Sequence, residues 1–86
     1  MEVTEMRGDI VIVRSYGGVP LVRRIWEEDE RGVYITDDVQ LKRLLAGGYA
    51  IPPIGFHRED VFRFNPEIAT DMDDLNSWDW NKLTPV

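Results

Sequence analysis

Gly8-Asp9-Ile10-Val11-Ile12-Val13-Arg14-Ser15-Tyr16-Gly17-Gly18-Val19-Pro20-Leu21-Val22-Arg23-Arg24-Ile25-Trp26 is the stretch that decides the fold class. Gly8-Asp9 marks a turn, and Ile10 to Val13 are four consecutive β-branched residues. Such a run is too short for a helix and rich in strand formers, which predicts a central strand. The adjacent Gly17 and Gly18 permit the positive φ angles of a tight hairpin. Centring the hairpin on that pair places Arg14 near Leu21 and sends Arg23 and Arg24 to opposite faces. Pro20 has no N–H to give to a ladder, so it belongs at the start of the returning strand or on an edge.

Outward from the hairpin, Glu28-Asp29-Glu30-Arg31-Gly32 reads as a solvated turn and Val33 to Thr36 as a third strand. The period then changes. Asp37 with Gln40 three residues later resembles a capping box, and Leu41, Leu44 and Leu45 recur at helical spacing. Gly47-Gly48 supplies the stop, which predicts a short helix over Asp38 to Ala46. Tyr49-Ala50-Ile51 reads as a fourth strand closed by Pro52-Pro53, Gly55 to Asp60 as a loop or single helical turn, and Val61 to Phe64 as the final strand. Asn65-Pro66 marks the boundary of a tail in which Asp73 to Trp80 has room for one helical turn. The fold class is therefore mainly β: about five short strands, one inserted helix and a polar tail. Its organisation is an N-terminal extension (1–7), a small barrel domain (8–64) and an acidic aromatic tail (65–86). The expected core is Val11, Val13, Val22, Ile25, Ile35, Leu41, Leu44, Ile54 and Val61.

Composition narrows the function classes. With 86 residues the chain has room for one core, and a domain of this size buries only about 60–65 % of its unfolded surface. It has no cysteine, so neither disulfides nor zinc-thiolate sites support it, and a reducing cytoplasm suits it. The acidic start Met1-Glu2-Val3-Thr4-Glu5 has no apolar run, which argues against a signal peptide. No stretch approaches the ~20 apolar residues of a membrane span. The expected address is the cytoplasm. Of the net charge of −6, the tail alone accounts for −4, with Glu67, Asp71, Asp73, Asp74 and Asp79 against Lys82. A chain of this sign repels phosphate at long range, which disfavours general nucleic-acid binding.

Residues 8–64 resemble a Src-homology-3-like small β-barrel, the architecture shared by Tudor and ribosomal-type barrels. The resemblance is carried by Gly8 to Val13, Gly17-Gly18, Leu21 to Trp26 and Glu59-Asp60-Val61-Phe62. It lies at the level of the fold. The Ala-Leu-Tyr-Asp-Tyr-like opening strand of proline-rich-peptide binders is absent, and the leucine helix is extra. No binding residue is carried over, because fold alone does not confer function.

The chemistry-bearing residues favour binding over catalysis. His57 is the only histidine, so a histidine metal cluster is ruled out. Asp60 is placed to orient its imidazole, but neither Ser15 nor Ser77 has the neighbours of a nucleophile. Asp71, Asp73 and Asp74 fail the calcium-loop spacing, since Leu75 and Asn76 fall on the fifth and sixth positions. Gly47-Gly48 follows a helix, whereas a phosphate loop precedes one. No catalytic residue, metal site or cofactor is expected.

What remains is a set of candidate partner-binding residues: Arg14, Tyr16, Arg23, Arg24, Arg63, Trp78 and Trp80. Whichever of Arg23 and Arg24 faces the core side needs a carboxylate, with Glu27, Asp9 or a tail aspartate as candidates. The arginines otherwise form a small basic patch with Tyr16 for an acidic partner or nucleic acid. Of Trp78 and Trp80, two residues apart in the tail, at most one is expected to pack on the barrel, near Phe56, Phe62 and Phe64. The other reading is a tail that docks on a partner. The expected function is a non-enzymatic binding or accessory module working through protein contacts. The alternative is a nucleic-acid-associated barrel using the hairpin arginines.

Overall fold

The β-branched run forms strand β1 (Ile10–Arg14) and the returning segment forms β2 (Pro20–Asp29), in a computed structural model that describes residues 6–69 and 78–86. Pro20 opens β2, where its missing N–H costs nothing. The hairpin loop has three residues, not two. Ser15 N–H donates to the Val19 carbonyl and Gly18 N–H to the Ser15 carbonyl, both at 2.9 Å. Gly17 and Gly18 take positive φ, 74° and 78°. The extra loop residue shifts the expected register by one, so Arg14 faces Pro20 and Val13 faces Leu21.

β2 is long because it serves two partners. It pairs with β1 through its first half and, from Arg24 onward, with β3 (Gly32–Thr36). The register slips between Ile25 and Glu27, leaving Trp26 as the extra residue of a bulge. The Trp26 carbonyl accepts from Arg7 Nε at 2.6 Å, and the Arg7 guanidinium lies 4.1 Å from the centre of the Trp26 rings. At the β2–β3 turn the Asp29 carboxylate accepts from Arg31 N–H, Gly32 N–H and Tyr34 Oη–H. The Arg31 amide bond is the chief cause that holds the Asp29 carboxyl below its usual value, and the Asp29 bond raises the Tyr34 phenol above 10. This brace is present while Asp29 is ionised and is lost as the pH falls through its lowered pKa.

The helix α1 (Asp38–Ala46) has the expected bounds. Asp37 Oδ1 accepts from Gln40 N–H at 2.8 Å, while the Gln40 side chain turns away from the cap and accepts from Ile51 N–H at 2.7 Å. Gly47 and Gly48 N–H groups close the last turn on the Leu44 and Arg43 carbonyls. The fourth strand is not Tyr49–Ile51. Pro52 and Pro53 lead into the strand instead of ending it, and β4 is Ile54–Phe56. A 3-10 turn at Arg58–Asp60 then delivers β5 (Val61–Arg63), followed by a short α2 (Pro66–Ala69).

The described chain is thus mainly β, five antiparallel strands in the order β4-β3-β2-β1-β5 with a helix inserted before β4. β4 and β5 do not pair with each other, so the sheet is open and the expected closure into a barrel is not made. Both end strands have only three residues, and the outer edge of β5 is taken by the chain's last residues. Arg63 N–H donates to the Thr84 carbonyl and Val86 N–H to the Val61 carbonyl, with Phe62 opposite Pro85.

Cross-strand partners share a face, which sorts the core into two layers. On one face Val11, Val13, Ile25, Val33, Ile35 and Val61 are buried, with Met6, Phe56 and Val86 packed against them. On the other, Ile12, Phe62 and Leu83 are buried beneath Phe64, Trp78 and Trp80. Of the expected core, Val22 and Ile54 are exposed and Leu41 and Leu44 half-buried. Val22 lies on the Ile12 face, directly opposite Ile12, yet stays exposed, and Ile54 stands on the edge strand. Both tryptophans pack on one side. Asp79 between them is extended (φ −131°, ψ 108°), and residues two apart in an extended segment share a face. The expectation that only one would pack therefore does not hold; a 3-10 turn (Trp80–Lys82) follows. Asp71, Asp73, Asp74, Leu75 and the start of the helical turn expected at Asp73 lie outside the described residues. No described helix is long and apolar enough to cross a membrane.

Two glycine substitutions separate turn strain from steric exclusion. A Cβ on Gly32 would run into the Phe56 carbonyl of β4, whereas around Gly17 the space is open. Gly32→Ala is expected to cost about 2–3 kcal/mol by overpacking and Gly17→Ala about 1 kcal/mol by its positive φ alone. Urea melts check both values; equal costs would mean that β4 yields to the added methyl group.

Candidate functional site

Because β2 and β3 pair only from Arg24 onward, Pro20–Arg23 has a strand neighbour on the β1 side alone. Helix α1 and the loop after it stand where β3 would have continued. They leave an open groove of about 300 Å³. Leu21 and Arg23 form one wall and Ile51, Pro52, Ile54 and Phe56 the other, with the core residues Val13 and Ile35 at the base. Ser15, Thr36, Asp37 and Gln40 supply its polar margin. The Gln40 bond to Ile51 N–H fixes the far wall to the helix. Ile51 and Ile54 are 64 % and 62 % exposed, too much for core residues of a finished sheet.

The seven residues singled out from the sequence do not form one patch. Arg14 and Arg24 lie on the Ile12 face, and Arg23 and Arg63 flank Val11 on the opposite face. Arg14 Nε donates to Asp60 Oδ1 at 2.9 Å and a terminal nitrogen donates to the Glu59 carbonyl at 3.0 Å. Its guanidinium also lies 5.4 Å from the ring centres of Phe62 and of Trp80. Trp80 stacks at a tilt on Phe62, centroids 5.0 Å apart, and meets Trp78 edge-on at 5.3 Å. Tyr16 is fully exposed at the tip of the hairpin loop.

Among the described residues neither β2 arginine pairs with Glu27, Asp9 or Asp79. Arg24 Nε donates to Asp38 Oδ1 at 2.6 Å in the first turn of α1, and Arg24 also donates to the Gly8 carbonyl. Arg23 donates to the Val22 carbonyl at 2.8 Å and makes no ion pair with a described carboxylate. Asp60, expected to orient His57, is held by Arg14, and His57 is exposed. Sequence reasoning missed Ile51 and Ile54 as exposed residues and the half-buried Leu21 as a groove wall. The signal available was Pro52-Pro53, which separates the two isoleucines from a continuous ladder.

Comparison with protein-family models, with curated proteins and with solved structures returned no match.

The Arg14 cluster makes a measurable distinction between charge and packing. Both members of the Arg14–Asp60 pair are about one-third exposed, so Asp60→Asn is expected to cost under about 1 kcal/mol. Arg14→Ala removes in addition the cover over Phe62 and Trp80 and is expected to cost about 1–2 kcal/mol. Denaturant melts read the two costs and tryptophan emission should move to the red only in Arg14→Ala. Equal costs without an emission change would reduce Arg14 to an ion-pair partner.

Proposed function

We propose that this chain is a non-enzymatic binding or accessory module that works through protein contacts, with the groove between β2 and Ile51–Ile54 as its contact surface. The observation that carries this reading is the groove itself: an apolar cleft left unfilled beside two exposed isoleucines. Open apolar surface of this kind is what docking sites offer. The strand order, with a 3-10 turn leading into the last strand, supports a Src-homology-3-like arrangement that has been left open. The cysteine-free composition suits the reducing cytoplasm, the compartment we propose.

Catalysis has little to stand on. The groove is lined by no histidine, and Asp60 is committed to Arg14. Use of the hairpin arginines on nucleic acid is also less favoured, because Arg14 and Arg24 already face carboxylates and lie on the side away from Arg23 and Arg63.

Ile51→Asp and Ile54→Asp test the reading. Both side chains already meet water, so the melting temperature should hold within a few degrees. Retention of the proteins that the wild-type chain captures should fall at least tenfold, since a charge in an apolar docking site is costly to desolvate. Unchanged retention by both variants would place the contact surface elsewhere.

A further inference from the structure

The open groove has a charge pattern that narrows its occupant. Arg14, Arg24 and Arg58 each face a carboxylate, Asp60, Asp38 and Glu28 respectively. Arg23 is half-buried in the groove wall of a chain of net charge −6, and it has no ion-pair partner among the described residues. Its bond to the Val22 carbonyl uses one of five N–H donors, leaving a fork suited to a carboxylate. Asp37 is the one acid in the lining, and its Oδ1 is occupied by Gln40 N–H at the positive end of α1.

Size and spacing carry the rest. A volume of about 300 Å³ is at the small end for ligand pockets, enough for one or two side chains. One wall is the part of β2 that β3 leaves uncovered, with Leu21 and Arg23 on the same face two residues apart. Along a strand that separation is about 7 Å, the distance at which an extended partner repeats its own side chains.

We infer that the groove binds an extended peptide of the pattern apolar-x-acid, its apolar side chain between Leu21 and Ile54 and its carboxylate on Arg23. This rests on the groove being the contact surface, and it adds the chemistry and spacing of the partner.

The test is a titration of the ¹⁵N-labelled full chain with three blocked pentapeptides. These are acetyl-Thr-Leu-Thr-Asp-Thr-amide, its Asp→Asn analogue, and acetyl-Thr-Leu-Asp-Thr-Thr-amide, in which the acid is moved next to the leucine. Amide shifts at Leu21, Arg23, Gln40 and Ile51 report occupancy of the groove. The first peptide should bind at least fivefold more tightly than the other two, and Arg23→Gln should erase that difference without changing the affinity for the Asn analogue. Groove shifts with equal affinities for the three peptides would overturn the apolar-x-acid pattern and leave the docking surface standing. No groove shifts with any peptide at millimolar concentration would overturn both.

Discussion

β1 is buried on both faces, and the packing of the described strands and of residues 78–86 answers that constraint. Val11, Ile12 and Val13 are each no more than 2 % exposed, although neighbours along a strand point to opposite sides. A two-layer burial of this kind is usual where helices cover a sheet twice, but here α1 buries no residue fully. Among the described residues the cover comes from the neighbouring strands, from Met6 and from residues 78–86. On the Val11 face it comes from Ile25, Val33, Ile35 and Val61 of β2, β3 and β5, with Met6, Phe56 and Val86. On the Ile12 face it comes from Phe62, Leu83 and the two indoles.

The C-terminal residues therefore act as part of the domain they follow. Thr84 to Val86 continue the ladder beyond β5, while Leu83 and Val86 fall into different core layers, so the segment grips the sheet edge from both sides. That edge is no longer available to another strand. At the opposite end, Pro52 and Pro53 shorten β4 to three residues, and the open ground lies between them and the uncovered half of β2. Edge protection and an open groove are thus two results of the same distribution of cover.

The local chemistry of the chain was legible. The β-branched run, the glycine hairpin, Asp37 as helix cap and Gly47 as helix stop all appear as strands, loop and helix at or near the expected residues. What was not legible depended on contacts between distant segments. Ile12 was absent from the expected core because period-2 reasoning puts one face of a strand inside, and no local signal announces a second cover from residues 78–86. The tryptophan expectation failed because residues two apart in an extended segment share a face, so Trp78 and Trp80 pack together on the Ile12 layer. The groove was invisible for a related reason: it exists only where β3 stops short of β2, a length mismatch that becomes apparent only when the register is known. Of the candidate residues, Arg23 lines the groove, whereas Arg14 and Arg24 serve the structure through ion pairs that residue type alone does not reveal.

The most direct measurement is the stability of a chain ending at Ser77, which lacks the cover over Ile12, together with Val86 and the Thr84–Val86 ladder on β5, and keeps every named strand of the sheet. Loss of Leu83 and the indoles should cost about 2–4 kcal/mol, lowering the melting temperature by roughly 10–20 °C for a domain of this size. The Ile12 amide should lose hydrogen-exchange protection together with that of Phe62. A shortened chain that melts like the full one, with Ile12 still protected, would contradict the dependence of β1 on its second cover.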